Sequence, residues 1–148
     1  MKKILIIPTL ILLLVVPQVW AAGTVTQTWA TVSSNTYLLT FTCTADVSAK
    51  TYPATDSKHA IDGYVFLVIT DPGTTSPTDD YDITLNDDNG IDIMGGELAN
   101  RDETNSEQAV PKIDAVYGSR WVDGVLEIAV TGNSVASAVT VVKVFIYR

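Results

Sequence analysis

The sequence predicts an all-β protein: a single antiparallel β-sandwich of about seven strands after an N-terminal signal peptide. Three observations carry that expectation. Apolar and polar residues alternate with a period of two in several separate stretches, clusters of Gly, Pro, Asn and Asp divide those stretches, and no stretch carries the apolar stripe of an amphipathic helix.

The N-terminus comes first. Met1-Lys2-Lys3 supplies a charged start, Ile4 to Val16 an apolar stretch, and Pro17 with Val19-Trp20-Ala21 a small-residue exit, which is the order of a secretory signal. Val19 and Ala21 suit the −3 and −1 positions, whereas a cut one residue later would put bulky Trp20 at −3, so cleavage is expected after Ala21. The apolar stretch of 13 residues falls short of the roughly 20 that cross a bilayer, so no stable membrane span is expected after cleavage. No Cys follows the cut, which argues against lipid modification. The expected organisation is a signal over 1–21 and one β-sandwich domain over 22–148.

The strands follow. Thr24 to Val32 is rich in Thr and Val around Trp29 and lacks a continuous apolar face, as a peripheral strand does. From Tyr37 to Ala45, Tyr37, Leu39, Phe41, Cys43 and Ala45 alternate with Leu38, Thr40, Thr42 and Thr44, the pattern of a half-buried strand. Gly63 to Thr70 is apolar on both faces, which predicts a central strand covered on two sides. Tyr81 to Asp87, Ile91 to Met94, Val125 to Thr131 and Val139 to Tyr147 complete the set. Glu97 to Gln108 has no apolar stripe and reads as a loop with at most one or two helical turns.

One hairpin can be read to register. A two-residue turn at Asn89-Gly90 would mix apolar and acidic side chains on each face. A three-residue loop, Asp88-Asn89-Gly90 with Gly90 left-handed, instead pairs Asp87 with Ile91, Leu85 with Ile93 and Ile83 with Gly95. Ile83, Leu85 and Ile93 then share the inner face, and Asp82, Thr84, Asn86 and Asp92 the outer one.

Composition excludes some functions. The chain beyond residue 21 holds seven basic and seventeen acidic residues, a net charge of −10, the wrong sign for a nucleic-acid binder. Cys43 is the sole cysteine, so no intramolecular disulfide can brace an exported domain and the core must suffice. Its place in the alternation makes it a small buried hydrophobe and not a nucleophile.

The segment Ile61-Asp62-Gly63-Tyr64-Val65-Phe66-Leu67-Val68-Ile69-Thr70-Asp71-Pro72-Gly73-Thr74-Thr75, continuing through Tyr81-Asp82-Ile83-Thr84-Leu85, Gly95-Gly96-Glu97-Leu98-Ala99-Asn100-Arg101-Asp102 and Asn105-Ser106-Glu107-Gln108, resembles a group of small uncharacterised proteins. Tailed bacteriophages and prophages encode them, often with a signal-like N-terminus. The likeness covers the middle third of the chain and extends to the C-terminal strands. It carries no catalytic motif, and the group has no established activity, so it implies a viral or prophage origin and leaves open whether the product enters the virion.

Chemistry-bearing residues are few. His59 is the only histidine and lies between Lys58 and Ala60 in a polar loop, which excludes a multi-His metal site and any mechanism needing two histidines. Gly132-Asn133-Ser134-Val135-Ala136 is the nearest approach to a nucleophile elbow, but it ends in Ala and leads into another strand, so it reads as a hairpin loop. The expected protein is therefore not an enzyme. Asp79, Asp80 and Asp82 precede one hairpin strand, and Asp87, Asp88 and Asp92 surround its turn, which offers hard oxygen ligands for Ca2+. An EF-hand is ruled out, since a loop ending at Gly90 would begin at Leu85. Turn chemistry is the stronger explanation, because turns favour Asp and Asn and outward charge guards hairpin edges. No cofactor is required, with Ca2+ on Asp80, Asp82, Asp87, Asp88 and Asp92 the one alternative.

Tyr117-Gly118-Ser119-Arg120-Trp121 closes a long irregular stretch, and Tyr117, Arg120 and Trp121 could stack on a sugar or anchor a protein. For Trp121, capping the open end of the sandwich is the stronger reading. The expected function is that of an exported, non-enzymatic accessory structural or attachment protein of phage or prophage type, located in the periplasm, outside the cell or on a virion and acting through surface loops. The alternative is a carbohydrate- or calcium-dependent binding module. A protein or cell-surface glycan is the expected partner, and the first strand could add to a neighbour's sheet edge to give a homo-oligomer.

Overall fold

The computed structural model describes residues 22–148. The expected signal segment, 1–21, lies outside the described residues. The described residues are all-β, with eleven strands among them: β1 (Thr24–Ser33), β2 (Thr36–Thr44), β3 (Thr55–Asp56), β4 (Gly63–Pro72), β5 (Asp82–Asn86), β6 (Glu107–Ala109), β7 (Lys112–Ile113), β8 (Val116–Tyr117), β9 (Arg120–Val122), β10 (Glu127–Thr131) and β11 (Val139–Tyr147). Six form a large curled sheet in the order β1-β2-β11-β4, with β6 and β9 both pairing along the far edge of β4. β3, β10 and β5 form a second sheet, and β7 and β8 a small hairpin. All pairings are antiparallel.

The period-2 alternation sets the sides of the large sheet. On β2, Leu39, Phe41 and Cys43 are buried, and on β11, Thr140, Val142, Val144 and Ile146. They join Ile83, Leu85, Ile128 and Val130 of the small sheet in one core. Thr140 is a polar residue in this layer, and its Oγ1 lies 3.0 Å from the Tyr81 hydroxyl, so each buried group satisfies the other.

The outer face of the large sheet differs from expectation. Phe145 pairs with Leu67 and Ile146 with Val65, so Phe66 is an extra residue in a β-bulge that turns both Phe66 and Leu67 outward. Val65 and Val68 are buried, but Tyr64 is exposed and Phe66, Leu67 and Ile69 are only half-buried. β4 is thus interior within its sheet yet covered on one face. Its outward apolar residues are sheltered by neighbours on the same face and not by a second layer.

The Asp-rich hairpin is half as expected. Gly90 has φ +74°, the Asp87 N–H donates to Ile91 O (3.0 Å), and the Ile93 N–H donates to Leu85 O (2.8 Å), so the three-residue loop and its register stand. Ile83, Leu85 and Ile93 are buried. Ile91 to Met94, however, is not a strand: it contributes a single bridge, Asp92 to Asn86, and the Ile83 N–H donates to Leu98 O in place of Gly95. The cause is local. Gly95 and Gly96 take positive φ, and the Asp92 carboxylate accepts from the N–H groups of Met94 (3.1 Å) and Gly96 (2.7 Å), curling the chain into turns that insert Met94 and Leu98 into the core. Gly95 has a second reason to lack a side chain, since a Cβ there would stand 2.1 Å from Lys112 O. Glu97 to Gln108 contains no helix, and the short strands β3, β6, β7, β8 and β9 add to the six of the seven expected strands that form.

Candidate interaction face

Trp121, Tyr64 and Tyr147 stand side by side on the outer face of the large sheet. The register pairs Tyr64 with Trp121 on one side and with Tyr147 on the other, so three neighbouring strands project aromatic side chains in one direction. Trp121 is 50 % exposed, Tyr147 41 % and Tyr64 36 %. The Tyr64 and Tyr147 rings stack with centroids 5.0 Å apart and planes 14° from parallel, while Trp121 meets Tyr64 edge-on at 5.0 Å and 70°. Phe66 extends the row, 6.2 Å from both Tyr147 and Phe145.

This face carries almost no charge. Across β1, β2, β4 and β11 the only charged residues are Asp71 and Lys143, and their Oδ2 and Nζ lie 3.9 Å apart. Thr24, Thr26 and Thr28 of β1 pair with Thr44, Thr42 and Thr40 of β2, so hydroxyls fill the end of the face away from the aromatic row.

The expected trio Tyr117, Arg120 and Trp121 does not converge. Tyr117 is 59 % exposed on β8, its hydroxyl donating to Glu97 Oε2 (3.1 Å) and its ring beneath Lys112 Nζ (5.2 Å). Arg120 points to the side of β9 opposite Trp121, as strand alternation requires, and its positive charge reaches Asp87. Trp121 alone joins the aromatic row. Tyr64, Phe66, Phe145 and Tyr147 are the members the sequence reading missed. A signal was present: Lys143 shares the outward parity of Phe145 and Tyr147, and a lysine at the middle of that parity marks a face open to water.

Of the five aspartates expected as calcium ligands, Asp87 and Asp88 share one turn and line a cleft with Asp56 and Glu127, while Asp80, Asp82 and Asp92 lie elsewhere. Asp92 caps the Ile93–Leu98 turns, Asp82 Oδ1 accepts from Asn100 N–H (2.9 Å), and Asp88 Oδ1 accepts from Val125 N–H (3.2 Å) across Gly124. Asp87 Oδ1 accepts from Ile91 N–H (3.0 Å) and Asn89 N–H (2.9 Å). The Asp87 carboxyl is held below its ordinary range, first by the Ile91 hydrogen bond and then by Asn89 and Arg120. Asp80 is exposed ahead of β5. Among the described residues no three His, Cys, Asp or Glu side chains are grouped to hold a metal ion.

Two other places hold polar chemistry. A cleft of about 390 Å³ between the turn segment and the far edge of β4 is lined by Glu97, Arg101, Glu107 and Tyr117. Both of its carboxylates have a basic partner, Lys112 Nζ at 2.9 Å from Glu97 and Arg101 Nη1 at 3.5 Å from Glu107. The Lys112 hydrogen bond, followed by that of Tyr117, holds the Glu97 carboxyl low, the direction opposite to that of a general acid. His59 is exposed, its ring edge-on to Trp29 at 6.1 Å, while Arg148 lies over Trp29 and Tyr37 and donates from Nε to Ile61 O (2.9 Å). Cys43 is buried, and burial pushes its thiol up to about 12. The chain matches no family model, no curated protein and no solved structure.

Proposed function

We propose that the chain is an exported, non-enzymatic attachment or accessory structural domain of phage or prophage type, which holds a partner against the outer face of its larger sheet. The observation that carries this reading is the exposed row of Trp121, Tyr64 and Tyr147, on a face whose two charges neutralise each other in a chain of net charge −8. Clustered, water-exposed aromatic rings are the groups that anchor a partner surface once desolvated. The ring geometry favours a protein partner. Tyr64 and Tyr147 turn ring faces toward each other, so the row presents edges and hydroxyls and not the coplanar platform on which sugar rings stack. The second reading, a carbohydrate-binding module, draws on the half-exposed indole of Trp121 alone. Neither reading requires Ca2+, because four of the five aspartates already accept backbone N–H groups.

The test is to fractionate the native source into purified particles, cells, periplasm and medium and to record the intact N-terminus by mass spectrometry. The expected result is a chain beginning at Ala22, found on particles or bound to cells, whose bound fraction falls about tenfold in Trp121→Ala. A chain found only free in periplasm or medium, partitioning identically in Trp121→Ala, overturns the reading.

A further inference from the structure

The free edge of the large sheet is β1, ten residues long, with β2 as its only neighbour among the described strands. Every backbone hydrogen bond that β1 makes to the described residues goes to β2, so about half of its N–H and C=O groups point outward from the sheet edge. Edge strands are ordinarily guarded by Lys, Pro, a bulge or a covering loop. β1 contains no charged residue and no Pro, and its pairing with β2 runs without a bulge from Thr24 to Thr31. The opposite edge is broken up by two short strands, β6 and β9, with the β7–β8 hairpin between them. The free edge is also held in place: Gln27 donates from Nε2 to Asp56 O (2.7 Å) and accepts from Lys58 N–H (2.8 Å), tying the middle of β1 to the segment that carries β3.

We propose that β1 pairs antiparallel with β1 of a second copy of this chain, about a twofold axis normal to the sheet, joining two six-stranded sheets into one. Charge selects this occupant. Two chains that each carry −10 beyond residue 21 repel wherever their acidic loops meet, but β1 and β2 carry no charge, so this edge is where like copies can approach. An antiparallel pairing centred on one residue also brings the same stretch of both copies together, as an isologous contact needs. With Thr28 on the axis, Thr26 opposes Ala30 and Gln27 opposes Trp29, so the outward Thr and Ala side chains stay on one face and the inward ones on the other. The outer faces of both copies then lie on the same side. The two Tyr147 rings are separated by five inter-strand steps, about 24 Å across the strands, and by about ten residues, roughly 33 Å, along them, before curl. The pairing is independent of what the aromatic row binds, and it makes any attachment through that row bivalent.

The test uses the full chain, purified from an expressing host, in sedimentation velocity from about 5 to 200 µM. The expected result is a dimer that grows with concentration, together with hydrogen-exchange protection over residues 24–33 that rises with concentration. Thr26→Lys/Thr28→Lys places charge on the edge through two exposed side chains, and is expected to weaken self-association at least about tenfold while leaving the melt at the lowest concentration unchanged. A wild-type chain that stays monomeric throughout overturns the proposal. So does a variant that dimerises as the wild type does, or a dimer whose added protection lies outside β1. The exchange measurement on wild type decides the matter even if the variant does not fold.

Discussion

Tyr64 and Tyr147 face each other across the β4–β11 pairing with ring planes 14° from parallel, and this stack turns two exposed side chains into one rigid surface feature. Aromatic pairs of this kind contribute about 0.5–1.5 kcal/mol beyond their area. A double-mutant cycle with Tyr64→Leu and Tyr147→Leu, read by urea denaturation, is expected to give a coupling energy in that range. Zero coupling would mean that the two rings move independently.

Tyr52 is buried, and its hydroxyl is the one buried side-chain polar atom without a hydrogen-bond partner among the described residues. An unpaired buried hydroxyl costs free energy that its ring does not recover. Tyr52→Phe keeps the ring and removes the penalty, so stability is expected to rise by about 1 kcal/mol. A loss of that size in chemical denaturation would show that the hydroxyl is bonded in solution.

Asp92 accepts from three N–H groups, those of Leu85, Met94 and Gly96. Asp92→Ala leaves them without this acceptor and is expected to cost about 1–3 kcal/mol in denaturant midpoint experiments. The same engagement, with no three His, Cys, Asp or Glu side chains grouped to hold a metal ion among the described residues, predicts that millimolar Ca2+ and chelator give equal melting temperatures. A rise of several degrees with Ca2+ would point to an ion site.

Asp87 and Asp102 have carboxyls held below their ordinary range, Asp87 mainly by the Ile91 N–H and Asp102 by the N–H groups of Asn105 and Thr104. A depressed folded-state value means that the unfolded chain takes up protons first as pH falls. Their contribution is therefore complete above the ordinary carboxylate value of about 4 and is lost as pH drops through the lower folded values. Thermal melts from neutral pH down to about pH 2 are expected to show this loss, shallower in Asp87→Asn.

Cys43 is fully buried with its thiol pushed up to about 12, so at neutral pH it is neither accessible nor ionised. A thiol reagent is expected to leave the native chain unmodified and to label one thiol per chain in denaturant. Labelling of the native chain at the rate of a free thiol would place Cys43 outside the core.

The long strands were legible because their side-chain parity is regular. Val139 to Tyr147 was bounded to the residue, and Tyr37 to Ala45 to within one. The loop at Asp88-Asn89-Gly90 was legible because only one register keeps Leu85 and Ile93 on the buried side. Beyond Ile93 the same logic failed, because Asp92 folds its carboxylate back onto Met94 and Gly96, and no strand-periodicity argument contains a side chain bonding to its own turn. Strands of two or three residues, such as β6 and β9, are too short to show a period; they exist because the edge of β4 is there to pair with them. The aromatic row was misread for a related reason. An apolar run on both faces reads as two-sided burial, while the bulge at Phe66 and the placement of neighbouring strands decide which rings reach water.

β11, the strand most distant from β1 in sequence, lies at the middle of the large sheet, with Val139 beside Thr44 and Tyr147 beside both Thr36 and Tyr64. The sheet therefore cannot close until residues 139–147 have left the ribosome, and no earlier part of the chain can assemble it. Contacts of such long range close slowly, which leaves the growing polypeptide unstructured for longer than a helical protein of equal size. Under the proposed export, that delay keeps the chain open enough to thread a secretion channel.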